Sequence, residues 1–361
     1  MTGLHPHTAG VPGNLNPIPP LATGIPTTAT HLRASGYQTV YHGKWHLGGD
    51  IHNYGFEIAE ECSHDETTRL LASRFWKNRD WLDNDRPFFH VVSLLNPHDL
   101  YFYDPAEEVA DFKRPWPNKN LDRTYPDPVQ SCRVSWPEER WGSYFEFYRQ
   151  MIERADADAG EMLHQLRCTG FFSNTWILFC SDHGDMSGEH NLPFKGPWMY
   201  DGVLRVPLVI IPPQDRFLGP VPPGTFATGI KAGRRNQLCS LLDIAPTILD
   251  LAGVTKPEAM RGESLLPVVR DESAADPHEY IFAAWHKPGV RAVRSRNWKY
   301  VAHENGDEEL YDVANDPAEC ANLAGDKSRE STMRGLIGAL SEHLHSLSDP
   351  FPLRRGEARC S

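Results

Sequence analysis

Long apolar runs are missing from this chain. No segment reaches the roughly 18 consecutive apolar residues that a bilayer-spanning helix needs, so no membrane span is predicted. Basic charge is in short supply too: 36 Lys and Arg face 48 Asp and Glu, a formal net charge of −12. Phosphate neutralisation requires a basic surface, which argues against nucleic acid as a partner. Clustered cysteine is also absent. Cys62, Cys132, Cys168, Cys180, Cys239, Cys320 and Cys360 stand far apart with no C-x-x-C spacing, which excludes a zinc cluster and a disulfide framework. Their odd count leaves at least one thiol free, and a reducing, cytoplasmic compartment is the default. The first 30 residues are proline-rich and polar, without the basic and apolar regions of a secretory signal. A signal upstream of Met1 would make the protein periplasmic or secreted instead.

What is present fits a globular α/β protein. The 361 residues leave room for one large α/β domain and a small appendage, or for two medium domains, and 40% hydrophobic with 23% charged residues is ordinary for such a chain. Thirty prolines and 28 glycines imply many loops, while 11% aromatic residues speak against disorder.

Strand and helix patterns alternate. Thr28–Ser35 reads as a short helix ended by Gly36, and Tyr37–Tyr41 as a strand delivering Gly43–Gly48 into a loop. Phe88–Leu95 is a continuous apolar run, as expected of a strand buried on both faces of a parallel sheet. Asp99–Arg140, rich in Pro, Trp and charge, reads as a long excursion, of a length that is usually functional or mobile. Phe145–Leu166 carries a helical apolar stripe, followed by strands at Thr175–Cys180 and Val206–Ile211. Asp243 is expected to cap a helix running to Leu251. The last hundred or so residues predict a small antiparallel sheet (Glu279–Ala284, Val290–Ser295, Lys299–Ala302, Glu309–Asp312) and a terminal helix, Thr332–Leu347.

Three stretches carry chemistry. Ser181-Asp182-His183-Gly184 follows an apolar strand directly and runs on through Glu189 and His190 to Lys195. Ligand crevices of open α/β sheets lie at the carboxyl ends of strands, so a carboxylate and an imidazole there suit a divalent cation. A hard cation takes about six oxygen-rich ligands, so this pair is only part of a site. Lys44 and His46 are two apart in a glycine-flanked loop, where both side chains can point one way and a ligand can approach the backbone. A lysine ammonium suits an oxyanion, although a solvated Lys beside a core His has the same spacing. His98, between Pro97 and Asp99 after an apolar strand, is either a loop residue or a general acid. His5 and His7 read as loop residues, and Asp156 and Asp158 as helix packing or capping residues.

On these residues the chain closely resembles the sulfatase family, of the alkaline phosphatase-like superfamily. The matching stretches are Gly36–Thr39 with Gly43–Gly48, Asn96–His98, Ser181–Gly184 through Lys195, Arg205–Leu208, Asp243–Thr247, and Trp298–Tyr300 with Glu309–Asp312, Asp316-Pro317 and Asn322-Leu323. The resemblance implies a central, mostly parallel sheet flanked by helices (1–275), then a C-terminal α+β subdomain (276–361) with a small antiparallel sheet and helix. It implies a small sulfated ester as substrate and one divalent metal ion, commonly Ca2+, with Mg2+ or Mn2+ as alternatives. Asp182 and His183 match metal ligands. Lys44 and Lys195 match the lysines that hold the sulfate oxygens. His46 matches a proton acceptor beside the nucleophile, and His98 a donor to the leaving group. The Asp99–Arg140 excursion would then lie near the pocket mouth.

The nucleophile is not visible. The family uses formylglycine, made within C-x-P-S-R or S-x-P-S-R, and no cysteine or serine of this chain stands in that motif. Met1–His7 looks like the stretch that follows it, so the expectation is truncation just after the motif. Three readings follow: a sulfuric ester hydrolase whose start lies upstream, a catalytically inactive remnant with an anion pocket, or a phosphonate or phosphate ester hydrolase of the same superfamily.

Overall fold

The computed structural model describes residues 1–11, 13, 17–78, 83, 85–103, 133–213, 230–286 and 289–353. The chain divides into two compact units: Met1–Asp104, Glu146–Cys180 and Leu208–Pro277 form the first, and Pro105–Phe145, Ser181–Pro207 and His278–Ser361 the second.

In the first unit, helix α1 (Thr28–Ala34) opens on a reciprocal cap between Thr27 and Thr30. It buries Leu32 against Ala245, Leu249 and Met260. Strand β1 (Gln38–Gly43) is buried throughout. It pairs in parallel with β2 (Ile58–Glu61) on one side and β3 (Phe88–Ser93) on the other. Helix α2 (Asp65–Lys77) lays Ala72, Phe75 and Trp76 onto Val40, together with Leu166 and Phe172. Burying each such aromatic contributes roughly 1.5–3 kcal/mol, so α2 is a main support of the sheet.

The structure departs from the sequence reading at several elements. Strand β3 is only half-buried and, among the described residues, pairs with β1 alone. Strands β4 (Ile177–Cys180) and β5 (Leu208–Ile211) form their own antiparallel pair rather than lengthening a parallel sheet. Their register partners Phe179 and Val209 are 44% and 48% exposed. An apolar run reports a preference for apolar neighbours; it does not encode strand direction or how many edges are paired. Helix α3 (Glu138–Cys168) starts before the expected Phe145, because Pro137 and the acidic pair Glu138 and Glu139 suit a helix N-terminus. Asp243 does not cap helix α5 (Ile244–Leu251). It accepts from Ser240 N at 2.7 Å, closing a capping box on the 3-10 turn Leu241–Asp243 instead. Helix α6 (Leu266–Arg270) follows.

The second unit is built on an antiparallel meander, β6 (Ile281–His286), β7 (Gly289–Arg294), β8 (Trp298–His303) and β9 (Glu308–Asp312). Side chains alternate between its faces. Val293, Tyr300 and Leu310 pack on Leu336, Leu340 and Leu344 of helix α7 (Glu330–Ser346). Val290, Ala292 and Val301 pack on Met199 instead. Next to Met199 lies the one-turn helix α4 (Asp201–Leu204), whose Val203 shares a core with Met186, Leu192, Trp198, Tyr200, Tyr311 and Val313. The small antiparallel sheet with its helix is thus present as expected. Among the described residues no helix is long and apolar enough to cross a membrane.

Candidate active site

In the first unit the candidate residues leave adjoining parallel strands at their carboxyl ends. Gly43 pairs with Ser93 at the ends of β1 and β3, and Lys44 N donates to Ser93 O at 2.9 Å. Gly43 has φ 109°, and a Cβ there would collide with Ser93 O, so glycine is needed where the loop departs. The loop is strapped by aromatic side chains. Tyr41 donates its hydroxyl to Lys44 O, Tyr54 donates to Gly48 O, and Gly48 N donates to Pro19 O at 3.1 Å. The Trp45 ring lies edge-on to Tyr41 at 5.1 Å and 5.2 Å from Tyr54. Lys44 is thereby left half-buried and His46 exposed.

His98 begins a 3-10 turn after β3 and stacks on Tyr101 at 5.0 Å. The stretch before it is held by Asp65, a residue the sequence reading passed over. Its carboxylate accepts from Leu95 N (2.5 Å), Asn96 N (3.0 Å) and Asn96 Nδ2 (2.9 Å). The available signal was an acidic residue opening a helix while the following apolar strand ended in Asn-Pro. The Asn96–Pro97 bond is cis.

In the second unit Asp182, His183 and Lys195 come together. His183 Nδ1 lies 2.8 Å from Gly184 O, so this nitrogen carries the proton and donates it to the carbonyl. Nε2 then presents its lone pair, 2.9 Å from Lys195 Nζ and 3.6 Å from Asp182 Oδ2. Asp182 itself is largely exposed. Lys195 is delivered by a contorted loop, in which Ser187, His190, Asn191 and Phe194 all take positive φ. Tyr144 braces that loop: its hydroxyl accepts from Phe194 N (2.8 Å) and donates to Asp185 Oδ1 (3.1 Å). Burial raises the Asp185 carboxyl above its usual range, against the lowering effect of hydrogen bonds from Ser187 and Tyr144. Asp185 lies inside the stretch that the sequence singled out but had no role assigned there, and Tyr144 did not stand out. Residues 104–132, most of the expected excursion at the pocket mouth, lie outside the described residues.

Asp156 and Asp158 lie on α3, and Asp158 pairs with Arg69 at 2.9 Å, a packing role as expected. The rings of His5 and His7 stack 6.2 Å apart in a turn.

The family model "Sulfatase" matches residues 1–254, and the model "N-sulphoglucosamine sulphohydrolase, C-terminal" matches residues 188–347. The choline-sulfatase of Rhizobium meliloti (strain 1021) is 30% identical over 363 residues, covering 84% of this chain and 68% of the relative. The Delta 4,5-hexuronate-2-O-sulfatase of Bacteroides thetaiotaomicron is 27% identical, covering 97% of this chain and 78% of the relative. A solved 2-O GAG sulfatase superposes with a TM-score of 0.79 at 25% identity, over 96% of this chain and 80% of that one. The phosphonate monoester hydrolase of Silicibacter pomeroyi shares the fold, with a TM-score of 0.73 at 19% identity over 97% of this chain and 85% of that one.

Proposed function

The chain belongs to the sulfatase family, by family sulfuric ester hydrolases, and we propose that Lys44, His46, His98, Asp182, His183 and Lys195 serve the hydrolysis of a small sulfated ester. The observation that carries this reading is the state of His183. Its Nδ1 proton is committed to Gly184 O, which leaves a lone pair on Nε2 beside an ammonium and a carboxylate. Donation of the other ring N–H to a backbone carbonyl is the usual arrangement of a metal-ligating histidine.

One carboxylate and one imidazole suit a divalent ion, and Asp182 and His183 would hold it. Among the described residues no group of three or more His, Cys, Asp or Glu is placed to complete a shell. Ca2+ is the ion proposed, with the remaining oxygen ligands supplied from elsewhere. When bound, the ion neutralises the sulfate and polarises its S–O bonds. The protein's own residues do the rest. Lys195 and Lys44 hold sulfate oxygens and stabilise charge as the ester bond breaks. His98 donates a proton to the departing alcohol oxygen. His46, exposed on its loop, accepts a proton at the step that frees sulfate.

The bond-making nucleophile is not among these 361 residues, since no cysteine or serine stands in C-x-P-S-R or S-x-P-S-R. That observation favours a second reading of the chain as given: an anion-binding protein without turnover. The deciding experiment reads the coding sequence upstream of Met1 in frame. It then compares 4-nitrophenyl sulfate with 4-nitrophenyl phosphate as substrate for the given and the extended proteins. Expected is the formylglycine motif upstream and sulfate turnover by the extended protein alone. A stop codon upstream leaves the non-catalytic reading, and a preference for phosphate moves the function to phosphonate or phosphate esters.

A further inference from the structure

The second unit contains a buried charge cluster that the sulfate reading does not use. Lys299, in β8, is 0% exposed. An ammonium has three N–H donors. Here two find acceptors, Met199 O at 2.9 Å and Asp201 Oδ1 at 2.6 Å, and the ammonium also forms an ion pair with Glu319 Oε1 at 2.5 Å. Glu319 turns its other oxygen to Asp201 N at 2.6 Å, capping the first residue of α4. Arg294, in β7, donates to the same Asp201 carboxylate. The cluster balances two cations against two carboxylates. Glu319 holds this position with φ 52°, a conformation that L side chains seldom adopt.

The cluster acts on the start of α4, and α4 acts on the histidine loop. Val203 O accepts from Gly184 N at 2.8 Å, and a Cβ on Gly184 would collide with Gly202 O. The two backbones therefore touch with nothing between them. Gly184 is the residue after His183, and its carbonyl fixes the imidazole tautomer. The same face of the sheet already packs through Val290, Ala292, Val301 and Met199. A buried ion pair is a poor way to add stability there, because apolar residues of similar volume serve as well or better. What the charges add is direction: each bond has one geometry.

We propose that Lys299, with Asp201 and Glu319, is a positioning clamp that fixes the His183 imidazole and its Lys195 partner from the C-terminal sheet. The proposal rests on the reading of Asp182, His183 and Lys195 as the sulfate pole. Lys299 touches no reacting atom and acts only through α4 and Gly184.

The test uses nitrogen NMR of the His183 ring, thermal melting, and titration with inorganic sulfate, all on the full chain. Lys299→Met/Glu319→Gln removes one charge of each sign, so no unpaired charge stays buried. Expected are a melting temperature near the parent's, a displaced His183 ring signal, and sulfate affinity lowered roughly tenfold. Leu336→Ala is the control: it loosens the sheet from its other face, so melting should fall while the His183 signal keeps its place. An unmoved His183 signal in the double variant overturns the proposal, as does an equal displacement in Leu336→Ala. If the double variant does not fold, Glu319→Gln alone decides by the same signal, its isosteric amide removing the charge and one of the two acceptor oxygens. Sulfate that perturbs neither His183 nor Lys195 in the parent sinks the sulfate reading, while the ring signals still judge the clamp.

Discussion

The Gly43–Gly48 loop of the first unit and the Asp182–Lys195 loop of the second each present a lysine and a histidine, yet different forces hold them. The first is strapped down by neutral contacts: tyrosine hydroxyls on carbonyls, a tryptophan edge and backbone bonds. The second stands on buried charge: Lys299 with Asp201 and Glu319 below it, and Asp185 with Tyr144 beside it. A neutral strap loses little when one contact goes, because water replaces it. A charge network loses much, because the remaining partner is stranded in a medium that solvates it poorly. The second loop should therefore be the more brittle to single substitutions.

The sharpest break of that contrast is Lys299→Met alone. It strands the carboxylates of Asp201 and Glu319, whose side chains are 18% and 2% exposed, with Arg294 as the remaining cation. Breaking a buried pair on one side costs about 3–5 kcal/mol. Urea unfolding should show that loss, and Lys299→Met/Glu319→Gln should recover a good part of it. Equal losses in the two variants would mean that packing, and not charge, sets the cost.

Acid should bring out a weak point in the first unit as well. His42 and His90 face each other across β1 and β3, with His90 Nε2 3.0 Å from His42 Nδ1, among Phe75 and Trp76. Burial depresses His42 to about 4, and burial with the neighbouring His42 takes His90 well below the usual histidine range. A base whose folded pKa is lowered gives full stability above the unfolded value near 6.5. That stability is lost as pH falls from there toward 4, because only the unfolded chain takes up the proton. For His42 the loss is on the order of 3 kcal/mol by pH 4. The clamp's two carboxyls respond differently in this window: burial holds Glu319 above its ordinary range despite Lys299, so it takes up a proton before Asp201 does. Burial alone would raise Asp201, but Lys299 and Arg294 outweigh it and keep the group below its ordinary range. Urea midpoints measured between pH 7 and 4.5 should fall steeply in the parent and less in His42→Gln. Identical slopes would place the acid sensitivity elsewhere.

The sequence spoke most clearly where chemistry and periodicity coincide. The C-terminal meander and helix α7 were readable because alternation and a 3.6-residue stripe each bury one face. Asp182, His183 and Lys195 were readable as residue types after a strand. The braces were not. Asp65 bonds a backbone about 30 residues away, and Lys299 bonds Asp201 about 98 residues away. Asp65 opens a helix and Lys299 stands in the family-like stretch Trp298–Tyr300, but nothing local names the distant partner of either, since a buried lysine and a surface lysine are spelled alike. The direction of β5 was hidden for a related reason: strand pairing is decided by a partner that the run itself does not name.

The mildest test of the contrast is Tyr54→Phe. The ring stays beside Trp45, and only the hydroxyl bond to Gly48 O is removed. Leu21 N also leans on that hydroxyl, at 3.4 Å, too long to add much. Gly48 lies in a loop that water can reach, so its carbonyl finds a new partner and the cost should be about 1 kcal/mol. Thermal melting measures that loss, and amide exchange at Gly43–Gly48 should quicken without change at Gly184. A loss as large as that of Lys299→Met would show that the strap is as brittle as the clamp. The distinction between neutral and charged support would then not explain how the two loops are held.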